Sequence, residues 1–185
     1  MAATGPTYDV VLLAEQALSE VDAQEVIALH EELETDQRVK YHVLIPVEDA
    51  AARVEATLGA LGAGENVAIP SYAYSDLDIA EVREECLQRS KDALATSLEL
   101  LRAGGVEAEG TTVEEPPISA LVSAITTTDG REAIILTRPH LVAEFFHLDW
   151  TSKARRKLDV PVLHLLEHES IVEQSAGGGE GISGV

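Results

Sequence analysis

Four stretches of the chain are apolar along nearly their whole length rather than at alternate positions. They are Tyr8 to Ala14 (YDVVLLA), Lys40 to Val47 (KYHVLIPV), Ala133 to Thr137 and Val160 to Leu166. Runs of this kind, rich in β-branched residues and leucine and closed by turn residues, predict parallel strands covered on both faces. Pro46, close to the end of the second run, suits a strand terminus or an edge. A fifth stretch, Val106 to Val113, is half polar, with Val106, Ala108, Thr111 and Val113 in loose alternation. That pattern predicts an edge strand.

Helical periodicity fills the intervals. Ser19 or Asp22 is placed to cap a first helix, with Val21, Glu25, Ala28 and Leu29 onward to Leu33 as its expected inner stripe. Glu48 to Leu61 is rich in alanine and helical by propensity. Gly59, Gly62 and Gly64 then read as a helix stop and a loop, because no helix begins directly behind them as a phosphate loop would need. Residues 66 to 74 form a connection. Ser75 to Arg102 is the longest helical run, stopped by Gly104-Gly105. Pro116 and Pro117 open a helix to Thr127, and Thr128, Asp129 and Gly130 end it. Leu141 to Leu158 carries Val142, Phe146, Trp150, Ala154 and Leu158 at four-residue intervals, a core-facing stripe. The alternating order predicts an α/β fold, a five-stranded parallel doubly wound sheet of Rossmann-like type with helices on both faces. Ligands of such sheets sit beyond the carboxyl ends of the strands, which directs attention to the turn after Thr137.

Charge narrows the choice of partners. The 185 residues carry a formal net charge of −20. Nucleic-acid backbones and anionic membranes would be repelled, so neither is expected as a partner. The single cysteine, Cys86, excludes an internal disulfide and fits a reducing cytosol; its neighbours at helical spacing mark it as a buried structural thiol. No secretory signal and no long apolar span is visible, so a cytoplasmic location is expected. Residues 1–7 read as a loose leader, 8–168 as one domain and 169–185 as a flexible glycine-rich tail.

The YDVVLLA and KYHVLIPV strands, the long helix ending in Gly104-Gly105-Val106-Glu107, the EAIILTRPH segment and the late VPVLHL strand together resemble the universal stress protein family, over roughly residues 8 to 166. The resemblance implies a strand order 3-2-1-4-5 and a role in stress response. It also implies a homodimer in which the last strand, Val160 to Leu166, pairs across the axis. Nucleotide-binding members carry Gly-x2-Gly-x9-Gly-(Ser/Thr) after the fourth strand, where backbone N–H groups approach the phosphates. Laid on this chain, the glycine positions fall on Thr137, His140 and Trp150, and only Thr151 agrees. Pro139 removes a further N–H donor. The family's aspartate near the end of the first strand is matched most nearly by Glu15. The chain therefore resembles members without the motif, and no cofactor is expected. ATP or AMP held through the altered loop is the alternative.

Candidate chemistry is concentrated at the same edge. Glu15, Thr137, Arg138, His140, Thr151 and Ser152 are the residues expected to form a polar mouth. Arg138 there either grips a small carboxylate or phosphate bidentately or pairs with one of the chain's many acids. An enzyme using Arg138, His140 and Glu15 is a third reading. Lys153, Arg155, Arg156 and Lys157 crowd the end of a helix, where cations favour the negative dipole end. His164-Leu-Leu-Glu167-His168 has the letters of an inverted zinc-protease motif but begins in a strand, so no metal is expected. His30 and His42 are expected at surface positions, having no partners nearby in sequence. Paired acids such as Glu31-Glu32 and Glu114-Glu115 read as solvated faces.

Overall fold

The computed structural model describes residues 7–31, 37–48, 76–137 and 153–166. Five strands and three helices follow in the order β1 (Thr7–Ala14), α1 (Glu20–Glu31), β2 (Arg38–Pro46), α2 (Asp76–Ala103), β3 (Glu107–Val113), α3 (Pro117–Thr128), β4 (Glu132–Thr137) and β5 (Val162–Leu166). A further helical stretch spans residues 153–157. All four strand pairings are parallel, and the sheet order is β3-β2-β1-β4-β5. The doubly wound α/β architecture is the one the hydrophobic runs predict. The expected helix from Glu48 to Leu61 beyond its first residue, the connection 66–74, and most of the one from Leu141 to Leu158 lie outside the described residues.

Each strand's alternation divides its side chains between two cores. Val10, Leu12, Tyr41, Val43 and Ile134 face α1 and α2. Val11, Leu13, Leu44, Ala133 and Ile135 face α3 and the 153–158 segment, with Leu121, Ile125, Ala154 and Leu158 packed on them. β1 lies at the centre, and Val10 to Ala14 are wholly buried. That double coverage is why its sequence is continuously apolar. β3 is an edge strand, as its half-polar sequence predicts; Glu107, Glu109 and Thr111 are exposed.

Local signals set the helix ends. At α1, the Ser19 N–H donates to Asp22 Oδ2 (2.8 Å) and the Asp22 N–H donates to Ser19 Oγ (3.2 Å). This is a reciprocal capping box with aspartate in the acidic position. At the end of α2, Gly105 takes a left-handed φ of 87°. After α3 the left-handed residue is Asp129 (φ 52°), and the N–H of Gly130 donates to the Ile125 carbonyl (2.9 Å).

Two expectations require correction. The inner stripe of α1 is Asp22, Ala23, Val26 and His30, while Val21 and Ala28 are exposed. The true stripe follows i, i+4, i+8 from Asp22, and its two polar members hide it from a count of apolar residues alone. His30 and His42, expected at the surface, are both buried, each 7% exposed. Their side-chain partners lie on strands outside their own element, Tyr41 and Glu132 for His30 and Asp9 and Glu109 for His42.

Candidate functional site

At the carboxyl edge of the sheet, β1 and β4 run side by side with Ala14 opposite Leu136, which sets Glu15 and Thr137 next to each other just beyond. The Glu15 N–H donates to the Leu136 carbonyl (3.3 Å), extending the pairing by one bond. Of the six residues expected to form the polar mouth, the described structure brings these two together. Arg138, His140, Thr151 and Ser152 lie outside the described residues.

Thr137 is fully buried, and its Oγ1 lies 2.8 Å from His164 Nε2. β4 and β5 are in register with Ile135 opposite His164, so alternation puts Thr137 and His164 on one face as diagonal neighbours. They are a polar pair on a face that otherwise carries Ala133 and Ile135. Sequence reasoning treated His164 only as a letter in a metal motif. The signal that finds it is the period of two: His164 shares a face with Thr137 once β4 and β5 are paired.

Two further clusters were invisible in the sequence. On the face toward α1 and α2, the Tyr41 hydroxyl lies 2.7 Å from His30 Nδ1 and 2.9 Å from the Val26 carbonyl. His30 Nε2 stands 3.4 Å from Glu132 Oε2, which also accepts from the Tyr8 hydroxyl at 3.3 Å. Burial, reinforced by the Glu132 carboxylate, pushes the Tyr41 hydroxyl above the usual tyrosine range, and Tyr8 is raised for the same reasons. The network ties α1 to β1, β2 and β4.

On the opposite face, His42 Nε2 lies 2.7 Å from Asp9 Oδ1 and His42 Nδ1 lies 3.0 Å from Glu109 Oε1. The imidazole serves both carboxylates as a donor only when both nitrogens carry protons. The Lys40 ammonium meets the other Glu109 oxygen at 2.8 Å, and the Thr7 hydroxyl donates to Asp9 Oδ2 at 2.6 Å. Partial burial works to raise the Asp9 carboxyl, but hydrogen bonds from His42 and Thr7 outweigh it and hold Asp9 below its usual value. At Glu109 the hydrogen bond from Lys40 is the leading cause of a lowered value. Among the described residues, no three His, Cys, Asp or Glu side chains are grouped to hold a metal ion. Among them, too, no helix is long and apolar enough to cross a membrane.

No protein-family model matches the chain, and no curated protein matches it. Solved structures do. The hypothetical protein MJ0577 superposes with a TM-score of 0.58 at 14% identity, covering 89% of this chain and 99% of that one. The universal stress protein of Archaeoglobus fulgidus gives a TM-score of 0.48 at 16% identity, covering 85% of this chain and 93% of that one. The chain shares the α/β fold of MJ0577. A second structure of the Archaeoglobus fulgidus protein, in complex with dAMP, matches at 17% identity with a TM-score of 0.45 over 85% of this chain and 97% of that one. At 14% identity the likeness to MJ0577 is one of fold. The order 3-2-1-4-5 implied by the sequence resemblance is the order observed.

Proposed function

We propose that this chain is a non-catalytic universal stress protein-like domain. It forms a homodimer through the β5 edge and acts through protein contacts or a small anionic ligand rather than through bound ATP. The observation that carries this reading is the lining of the carboxyl edge. Where nucleotide-binding members have glycines, this chain has Thr137, His140 and Trp150. Thr137 is fully buried with its hydroxyl against His164, which supports a position used for packing rather than for close approach of phosphate to the main chain. Arg138, next in sequence, is the residue we assign to a carboxylate or phosphate.

The geometry of β5 supports the dimer. Among the described strands β5 has a neighbour on one side only. The Ala133 N–H donates to the Pro161 carbonyl (2.9 Å), and Ala133 pairs in register with Val162. In a parallel ladder this turns the Val162 N–H and carbonyl away from β4. The Arg155 guanidinium donates to the Val162 carbonyl at 3.3 Å, and an apolar edge strand of this kind is a ready site for a second copy that takes its place. Val162→Pro therefore blocks pairing across the edge without removing a bond to β4. Sedimentation of wild type as a dimer and of this variant as a folded monomer supports the reading; a wild-type monomer ends it.

The second reading is an adenine-nucleotide module with an altered glycine loop, favoured by the shared sheet topology, whose carboxyl edge is the usual ligand position. Thermal melting with ATP, AMP, phosphate and simple carboxylates separates the two. Melting unchanged by millimolar ATP supports the first reading, whereas a saturable rise with ATP or AMP supports the second.

A further inference from the structure

A groove of about 520 Å³ runs between β2–β3 and α3 and reaches the end of β3 at Val113. Among the described residues, α3 packs on β1, β2 and β4 and leaves the α3-side face of β3 largely uncovered. Its volume falls within the range of about 300–1,000 Å³ common for small-molecule sites.

Carboxylates and hydroxyls dominate the lining, with Glu109 already holding the Lys40 ammonium on one oxygen (2.8 Å) and His42 on the other (3.0 Å). Glu109 and Glu115 stand along its β3 side. On the helix side, the Thr127 hydroxyl donates to the Ser123 carbonyl and that of Thr128 to the Ala124 carbonyl, both at 2.8 Å. The Thr111 hydroxyl donates to the Thr112 carbonyl at 3.2 Å. Both nitrogens of His42 face Asp9 and Glu109. The side-chain protons of these residues are thus engaged, and what they offer to a ligand is lone pairs, with the Ser123 hydroxyl as the remaining donor. An anion finds one side-chain donor there, the Ser123 hydroxyl, against many acceptors. Between the polar sides lie Leu44 and Ala120, both buried.

From this lining we infer that the groove binds a linear alkyl amine carrying two or more ammonium groups. Its ammonium groups donate to Glu109, Glu115 and the threonine oxygens. Its methylenes lie over Leu44 and Ala120. The chain's net charge of −20 draws such a cation in at long range, and the acceptor lining gives it a place. This site is separate from the proposed anion position beyond Thr137 and does not depend on it.

The test is calorimetric titration of the intact chain with spermidine and with hexamethylenediamine at about 0.15 M salt, where the Debye length of about 8 Å suppresses diffuse attraction. Wild type is expected to bind one equivalent saturably. Thr127→Lys puts an ammonium into the groove, whereas Thr126→Lys puts the same charge on the same helix outside it; both threonines are exposed. Thr127→Lys is expected to weaken binding by at least about tenfold through like-charge contact, and Thr126→Lys to change it less than about twofold. Should Thr127→Lys fail to fold, Glu115→Gln on the exposed β3 side is expected to weaken binding several-fold. Absence of saturable binding, equal loss in both lysine variants, or no loss in Glu115→Gln overturns the inference.

Discussion

At the scale of single residues, the two buried histidine clusters decide how stability depends on pH. The Asp9 carboxyl is held below its usual value by His42 and Thr7. A depressed folded value contributes stability that is present above the unfolded value, about 3.9, and is lost as pH falls through the folded one. Asp9→Asn is therefore expected to cost about 2 kcal/mol at pH 7, the scale of a hydrogen bond to a charged group, and to flatten the acid limb below about pH 4. Urea unfolding at a series of pH values measures both effects. Tyr41 behaves in the opposite sense. Burial and then the Glu132 carboxylate raise its hydroxyl above the usual range. A raised value contributes stability that is present below the unfolded value, about 10, and is lost as pH climbs beyond it. Tyr41→Phe is expected to lower stability by about 1 kcal/mol at neutral pH, since it removes the bond shared by Val26 and His30, and to shrink the alkaline loss. The same unfolding series, extended above pH 10, gives the answer.

At the scale of elements, helix ends were far more legible than helix faces. Ser19, Asp22, Gly104-Gly105 and Pro117 act through their own local backbone, so a reader of the sequence can place them within a residue or two. Ser19→Ala removes one side of the reciprocal cap on α1 and is expected to cost about 1 kcal/mol, read from the urea midpoint at unchanged slope. The inner face of α1 was misread because Asp22 and His30, two of its buried positions, are polar. Asp22 is buried as a cap and His30 as a partner of Tyr41 and Glu132. Neither reason is local to the apolar pattern. Gly110 makes the same point on β3: a Cβ there would lie 2.4 Å from the Val43 carbonyl oxygen and 2.8 Å from a methyl of Leu94. The need for glycine at that position comes from β2 and α2, not from β3.

At the scale of the whole molecule, a net charge of −20 on 185 residues is a destabilising field. The exposed ion pairs, such as Arg83 with Glu114 and Arg89 with Glu48, are worth little by themselves and are screened by salt. Self-repulsion of the excess acids is screened as well, and it is the larger effect in a chain with 33 acidic and 13 basic residues. The melting temperature is therefore expected to rise as sodium chloride goes from about 0.05 to 0.5 M, over which the Debye length falls well below 10 Å. A fall over that range, seen by circular dichroism, would mean that the surface ion pairs dominate instead.

The amino-acid sequence by itself determined the parallel doubly wound sheet, because continuous apolar runs separated by helical periods bury themselves in few other ways. It determined the edge position of β3 through half-polar alternation, and, laid on the glycine motif of the family it resembles, it has Thr137, His140 and Trp150 at the glycine positions. Tertiary structure alone decided which side chains meet. His30 on α1 meets Tyr41 and Glu132 on the sheet beneath it, while His42 with Asp9 and Glu109, and Thr137 with His164, are joined across neighbouring strands that are distant along the chain. Strand order and register set those meetings, and both emerge only when every crossover has been packed onto one sheet.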